Sequence, residues 1–164
     1  MKELILLFIA LVFLIKIGFS TEQISDRLIV GNDTICLQTF PLEDLKFKIR
    51  PFNYGDNDFP HTGCWRGYQA TWEVIDNKLF LIEIIRVDTI AGTIDSEQFF
   101  RENGYEPNII NGYIYADWFT ADLEKYPALY ANKSCIFRSY DPKKKKVILK
   151  FDKGIMIENK NYGK

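Results

Sequence analysis

One stretch of the chain, from Tyr68 to Val87, constrains the fold more than any other. It reads YQATWEVIDNKLFLIEIIRV, and its first half alternates apolar with polar residues, which is typical of a half-buried strand. Asp76-Asn77 then supplies a two-residue turn, and the second half returns as a strand that is apolar on both faces. Such a strand is usually central in its sheet and covered on both sides. The stretch therefore predicts a β-hairpin in the middle of a sheet.

The register of this hairpin follows from its turn length, because two residues between the strands fix which residues face each other. Ala70 should then lie opposite Glu83, and Glu73 should point to the other face of the sheet. A carboxylate in a central strand is costly to bury alone. We expect Arg66, just before the first strand, to pair with Glu83, since its planar guanidinium suits a carboxylate.

The remaining patterns predict further hairpins and one helix. Asp95 or Ser96 is a candidate helix N-cap, and Asn103-Gly104 is a stop signal, so a short helix should lie between them. Apolar runs bounded by turn residues should pair residues 28–30 with 34–38, residues 134–140 with 145–152, and residues 145–152 with the last strand.

These elements indicate a fold class. Aromatic residues make up 15% of the chain and suit pleated, half-buried strands. The sequence thus predicts a mainly β fold with one short helix. We expect an antiparallel meander of about seven strands that forms a sandwich or a partly open barrel.

The first 20 residues have the pattern of a signal peptide. A positive start, an unbroken apolar run from Leu4 to Leu14 and small residues before the cut favour cleavage after Ser20. The alternative is an uncleaved anchor over residues 4–20, although Lys16 leaves the apolar run shorter than the ~20 residues of a spanning helix. We expect an exported protein, periplasmic or extracellular, or else one anchored to the inner membrane by this segment. No other part of the chain should contact a membrane.

The rest of the chain should form one domain with an uneven charge. Residues 21–158 are long enough for a single β-rich domain with its own core, followed by a flexible basic tail at 159–164. Residues 21–140 hold eleven basic and eighteen acidic side chains, a net charge of −7, whereas residues 141–164 carry +5. An acidic body argues against nucleic acid as a partner. The basic end either contacts an anionic partner or is a solvated hairpin.

Three cysteines in an exported chain predict one disulfide and one remaining thiol. The sequence leaves all three pairings open, and of these we expect Cys64 to bond to Cys135, with Cys36 free and packed in an apolar strand. His61 and the cysteines are zinc-ligand types, but their spacing does not match the usual pairs of closely spaced ligands. We therefore predict no metal and no cofactor.

Candidate catalytic groups are few. His61 is the only histidine, and it lies in no nucleophile-elbow context, although Cys64 follows three residues later. Paired carboxylates would suit a glycosidase-type mechanism. If their strands are neighbours, Glu83 and Asp117, with Arg66, would be the catalytic groups of such an enzyme.

Aromatic and charged residues suggest a binding surface instead. Trp65, Tyr115 and Trp118, with Arg66 and Asp117, are the candidates, since large rings and arginine dominate protein interfaces. The alternative is a core lined by large rings. Trp65 should be the most exposed of these residues, because it lies at the edge of a loop.

Three segments together resemble a group of small bacterial proteins. The group has a strand–turn–strand start, a C-x-R-G-Y-x-x-x-W strand and an A-D-W-F segment. In this chain the matching segments are DRLIVGNDTICLQTFPLE (26–43), CWRGYQATWEVIDNKLFLIEI (64–84) and YADWFTADL (115–123). The resemblance covers most of the chain after residue 20 and implies a bacterial source and a related fold. The group has no established activity, so the resemblance implies no catalytic residue.

Three functions remain open at this point. The first is an exported, non-catalytic domain that binds a protein or other macromolecule in the cell envelope, for example as an immunity or inhibitor-type protein. The second is a hydrolase acting on glycans or peptidoglycan through Glu83 and Asp117. The third is a structural envelope protein.

Overall fold

A computed structural model describes residues 23–37, 39–52, 63–87, 92–127, 135 and 146–162. The predicted mainly β fold is confirmed. Helical structure in these ranges consists of a 3₁₀-helix, Pro41–Leu45, and one α-helix, α1 (Ser96–Glu102). The strands are β1 (Arg27–Val30), β2 (Asp33–Leu37), β3 (Tyr68–Ile75), β4 (Lys78–Arg86), β5 (Ile109–Ile110), β6 (Tyr113–Tyr115), β7 (Ala121–Pro127), β8 (Lys146–Asp152) and β9 (Ile155–Tyr162).

The strands form one nearly closed barrel. Neighbouring strands follow the order β3-β1-β2-β7-β8-β9-β4, and β4 pairs back with β3. β9 and β4 meet at a single pair, Ile155 with Lys78. β6 pairs with the same edge of β4, and β5 pairs with β6. The partly open barrel is therefore the form that the predicted sheet takes.

The sheet is not a pure antiparallel meander, because one pairing is parallel and others, such as β2 with β7 and β4 with β9, join strands that are not consecutive. β1 lies beside β3 in the parallel sense, with Leu28 opposite Trp72. β1 and β2 are antiparallel, so β2 ends at the end of the barrel where β1 begins. β3 begins at that same end and lies next to β1, and the two strands therefore run in the same direction. We call this end the lower end; the 3₁₀-helix and α1 lie there. The opposite end, with the β1–β2 and β3–β4 turns, is the upper end.

The central hairpin is present as β3 and β4, with one irregularity. Asp76 and Asn77 form the turn with φ of 49° and 59°, the left-handed values that two-residue hairpin turns favour. Ile82 is an extra residue on β4, so that Glu83 lies opposite Thr71 rather than Ala70. The predicted register is wrong beyond this bulge. Glu83 consequently shares the outer face with Glu73, which lies on the side of Thr71.

The core lies inside the barrel and extends to its lower end. α1 begins where predicted, because the Asp95 side chain accepts a hydrogen bond from the Gln98 N–H at 3.0 Å. Its buried Phe99 and Phe100 pack edge-on against Phe47. The largest fully buried side chains are Trp72, Phe100, Phe119, Phe151, Leu28, Leu37, Leu42, Leu79, Ile84, Leu123 and Leu149.

One prediction about the last third of the chain is corrected, and another lies outside the described residues. β8 lies between β7 and β9, and residues 134–140, which were predicted to pair with it, are not described apart from Cys135. β9 runs to Tyr162, so residues 159–162 belong to a strand and not to a tail. The predicted turn at 152–154 is present.

Other predictions fall outside the described residues. The signal peptide or anchor at 1–20 and the loop histidine, His61, are among them. In the part of the chain that the structure describes, no helix is both long and apolar enough to cross a membrane.

Candidate functional site

The chain enters β3 through a tight turn, Cys64–Gly67, which we call the Trp65 turn. The Gly67 N–H donates to the Cys64 carbonyl oxygen at 3.0 Å. Trp65 has 65% of its surface exposed, whereas Cys64 has none and Arg66 only 6%. The Trp65 N–H donates to the side-chain oxygen of Gln23 at 3.0 Å. The predicted exposure of Trp65 is confirmed, and its indole stands between two buried neighbours.

Arg66 extends from this turn into the lower end of the barrel. One terminal nitrogen donates to Oδ1 of Asp26 at 2.8 Å, and the other donates to the Ile24 carbonyl oxygen at 2.6 Å. Its guanidinium lies 3.6 Å from the centroid of the Phe40 ring, a cation–π contact. The predicted pairing of Arg66 with Glu83 is therefore wrong. Arg66 turns inward to residues ahead of β1, whereas the bulge places Glu83 on the outer face.

Asp26 is the centre of this polar network. Its carboxylate is fully buried and also accepts from the Ala70 N–H at 3.1 Å and from the Trp72 indole N–H at 3.2 Å. Burial raises the pKa of Asp26, and the charge of Arg66 and these hydrogen bonds oppose that shift. Burial acts to lower the pKa of Arg66, but Asp26 outweighs it and raises that pKa. The pair ties the Trp65 turn to β1 and β3.

Two further side chains complete the network. The Tyr68 hydroxyl donates to Oε1 of Glu43 on the 3₁₀-helix. Burial raises the pKa of Tyr68 far above its ordinary value, with Asp26 and Glu43 adding to the shift, so this hydroxyl stays protonated. The Cys64 thiol donates to the Tyr68 carbonyl oxygen at 3.2 Å, and burial raises its pKa too. A buried thiol with a raised pKa is a structural group and not an activated nucleophile.

The disulfide prediction is wrong. Cys36 bonds to Cys135, with their Cα atoms 5.4 Å apart, and Cys64 is the free, buried cysteine. The apolar residues around Cys36 suggested a packed thiol. The fold instead brings Cys135, 99 residues later in the sequence, next to Cys36. Because two of the three thiols are joined, they are not available as zinc ligands. Among the described residues, no group of three or more His, Cys, Asp or Glu side chains could hold a metal ion.

The proposed catalytic groups do not come together. Glu83 lies 3.4 Å from the guanidinium of Arg27 on the outer face of the barrel. Asp117 is exposed and accepts from the Asn108 amide at 2.9 Å. The residue before it, Ala116, donates to the Leu79 carbonyl, and Leu79 is four residues from Glu83.

At ~3.3 Å per strand residue, those four residues correspond to about 13 Å along β4. Glycosidase carboxyl pairs lie about 5 to 9.5 Å apart. The third group, Arg66, is sealed at the lower end with Asp26. The positions of Glu83, Asp117 and Arg66 thus give no cleft in which the three could act on one bond.

Two of the predicted binding residues are structural. Tyr115 is buried, its ring packs on Phe80, and its hydroxyl donates to the Lys153 carbonyl. Trp118 is half-buried, packs against the Trp72 ring at 6.4 Å and donates to the carbonyl of Pro41 at 3.1 Å. They do not form an aromatic surface with Trp65.

Two cavities lined by described residues near the site are small. One of about 60 Å³ lies beside Tyr68 and Glu43, under the segment from Lys46 to Pro51. A second, open groove of about 260 Å³ lies between Ile49–Pro51 and α1. Ligand pockets usually measure about 300 to 1,000 Å³. Neither of these two has the size of a typical small-molecule site.

Sequence reasoning missed Asp26, Phe40 and Glu43. Asp26 and Arg66 are 40 residues apart, and they meet because β1 and β3 pair in parallel. No local pattern shows that pairing. The only available signal was the position of Asp26 directly before a strand with a fully buried Leu28.

Comparisons with known proteins add no further constraint. No protein-family model, no curated protein sequence and no solved structure matches the chain significantly.

Proposed function

We propose that this chain is an exported, non-catalytic binding domain whose lower end holds a protein partner in the cell envelope. The observation that carries the proposal is the Trp65 turn: a tryptophan that is 65% exposed on a base of buried hydrogen bonds. Tryptophan is among the residues enriched at binding hot spots. An anchor that is already rigid loses little entropy when it binds.

The surroundings of Trp65 favour recognition over catalysis. The Arg66 and Asp26 side chains bond to each other and to backbone groups, so they serve to hold the turn in place. The Cys64 thiol is buried and hydrogen-bonded. The groups next to Trp65 thus support the position of its ring and offer no nucleophile.

The charge of the chain suggests the chemistry of the partner. Residues 21–140 carry a net charge of −7, while the exposed charged side chains of the 3₁₀-helix and the residues after it are of both signs: Glu43, Asp44, Lys46, Lys48 and Arg50. An acidic surface attracts a basic partner and speeds its encounter, particularly at low salt. A basic protein, such as a toxin held by an immunity or inhibitor-type protein, fits this charge.

Site-specific photocrosslinking in the cell envelope tests the proposal. A photoreactive amino acid at position 65 should give one discrete adduct, and the same amino acid at position 113 should give none. Tyr113 is the control because its ring is 40% exposed and lies on β6, away from the turn. A folded protein that gives no adduct at position 65 would favour the structural envelope alternative.

A further inference from the structure

The open groove between residues 49–51 and α1 has an apolar lining. Its volume is about 260 Å³, and its apolar side chains are Ile49, Pro51, Ile94 and Phe99. Phe99 is buried, whereas Ile49 is 44% exposed. A lining of this kind favours the apolar part of a ligand, because binding removes both apolar surfaces from water.

One wall of the groove is acidic. Asp95, Gln98 and Glu102 line it from one face of α1, since they are three and four positions apart. Oδ1 of Asp95 accepts from the Gln98 N–H at 3.0 Å, and Oε1 of Glu102 accepts from the Gln98 amide at 2.7 Å. The second oxygen of each carboxylate accepts no hydrogen bond from the described residues. Both oxygens are therefore able to accept one from a ligand.

The other wall carries a positive charge, that of Arg50. This side chain is exposed and lines the groove. In the part of the chain that the structure describes, Arg50 makes no hydrogen bond or ion pair. Its guanidinium and the carboxylates of α1 thus line the same groove without pairing with each other. Opposite charges separated in this way fit a ligand that carries both charges.

The two walls are held together by contacts below the groove. The Ile49 N–H donates to the side-chain oxygen of Asn103, just after α1, at 2.8 Å. The Phe47 ring, two residues before Ile49, packs edge-on against the Phe99 ring at 4.7 Å. Because the walls are already in place, a ligand orders little of the chain when it binds.

We propose that this groove binds a free α-amino acid with an apolar side chain, such as leucine. The guanidinium of Arg50 would hold the carboxylate, which its planar fork suits. Glu102 and Asp95 would accept from the ammonium, and the apolar side chain would lie against Ile49 and Phe99.

The size of the groove agrees with this class of ligand. Its volume is that of about nine water molecules at ~30 Å³ each, and leucine has a similar number of non-hydrogen atoms. The groove is thus too small for a drug-sized ligand but large enough for one amino acid. Trp65 does not line it. The site therefore does not depend on the function proposed for the Trp65 turn, and either could fail alone.

A titration of the isotope-labelled, full-length protein with L-leucine, followed by amide NMR signals, tests the inference. The signals of Ile49 and Gln98 should shift and saturate with a dissociation constant between about 0.1 mM and about 10 mM, as expected of a small ligand in an open site. Signals that do not shift up to about 100 mM leucine would overturn the inference.

Three related compounds test which groups of the ligand are recognised. Glycine lacks the apolar side chain, N-acetylleucine lacks the ammonium and leucinamide lacks the carboxylate. At mildly acidic pH, where α-amino groups are charged, each should bind at least ~10-fold more weakly than leucine. If leucinamide or N-acetylleucine binds as tightly as leucine, the groove does not recognise both charges and the inference is wrong.

Arg50→Gln tests the carboxylate contact. This variant should bind leucine at least ~10-fold more weakly, while its affinity for leucinamide should change little, because that compound has no carboxylate to lose. Arg101→Gln is the matched control, since Arg101 lies on α1 but pairs with Glu97 and Glu106. Thermal unfolding confirms that both variants are folded. Equal affinities of the two folded variants for leucine would overturn the inference.

Discussion

The two ends of the barrel use polar groups in opposite ways. At the lower end, Asp26 and Arg66 are buried and form an ion pair that also bonds to backbone groups. At the upper end, β9 beyond Ile155 pairs with β8 and extends past the β3–β4 turn, where the Met156 N–H donates to the Asn77 carbonyl. The described lower end thus buries polar groups beneath one exposed aromatic side chain, whereas the described upper end presents the backbone pairing of two strands.

At the lower end, buried hydrogen bonds hold the backbone turn that carries the exposed Trp65. Trp65 itself makes one described hydrogen bond, through its backbone. The bonds of Cys64 and Arg66 hold the turn that carries it. Rigid supporting groups of this kind are what keep a binding residue in a productive geometry.

Asp26→Ala, at the lower end, should lower the free energy of unfolding more than any other change considered. Asp26→Ala leaves the buried Arg66 guanidinium without its counter-charge, and removing one partner of a buried pair costs about 3–5 kcal/mol. Urea unfolding measures the loss. Glu83→Ala is the control, because its carboxylate is 39% exposed beside Arg27, and partly exposed pairs contribute about 0–1 kcal/mol. Equal losses in the two variants would remove the distinction between a buried and a surface pair.

The second largest loss of stability is expected for Gly154→Ala in the β8–β9 turn. Gly154→Ala would place a Cβ 2.6 Å from the Ala116 carbonyl oxygen, at a φ of +74°. Overlap with a backbone atom and a left-handed conformation together cost about 3 kcal/mol. Gly31→Ala is the control: its φ is +60°, but no atom lies within 4 Å of the new Cβ. It should cost only about 1 kcal/mol. If Gly31→Ala is the more damaging, the β8–β9 turn does not depend on close packing against Ala116.

The smallest expected effect is the contribution of Tyr68, at the lower end, to the pH dependence of the free energy of unfolding. The pKa of Tyr68 is raised in the folded protein above its ordinary value of 10.0. Its contribution is fully present below pH 10 and declines as the pH rises, because only the unfolded chain then ionises. The decline approaches about 1.4 kcal/mol per pH unit for one proton.

Tyr68→Phe removes this proton from both states. The free energy of unfolding of the variant should therefore fall less steeply between pH 10 and pH 11 than that of the wild type, when both are measured by urea unfolding. Identical slopes would mean that Tyr68 ionises as readily in the folded protein as in the unfolded chain.

Local patterns predicted the elements that depend on neighbouring residues. The alternation around Trp72, the turn at Asp76-Asn77 and the N-cap at Asp95 all appear in the structure. Each depends on residues within a few positions of one another. The pattern could not show Ile82 as a bulge, because every residue from Leu79 to Ile82 is apolar.

The ion-pair partner of Arg66 and the disulfide depend on contacts between residues that are far apart in the sequence, which local patterns do not show. The parallel pairing of β1 with β3 brings Asp26 to Arg66, and the fold brings Cys135 to Cys36 across 99 residues of sequence. Arg66 was expected to contact Glu83 on the opposing strand of the hairpin. The sequence shows which residues are charged, but it does not show that a bulge turns Glu83 to the outer face of the barrel. The exposure of Trp65 was predicted correctly, since its position at the edge of a loop predicts exposure without knowledge of the topology.

The affinity of the captured partner for Trp65→Ala tests the central claim most directly. Calorimetry should show that this variant binds roughly 30-fold more weakly than the wild type, the loss of ~2 kcal/mol expected of a hot-spot residue. Tyr113→Ala should bind as the wild type does, and both variants should unfold at the wild-type temperature. Equal affinity of Trp65→Ala and the wild type would contradict the assignment of the Trp65 turn as the binding site.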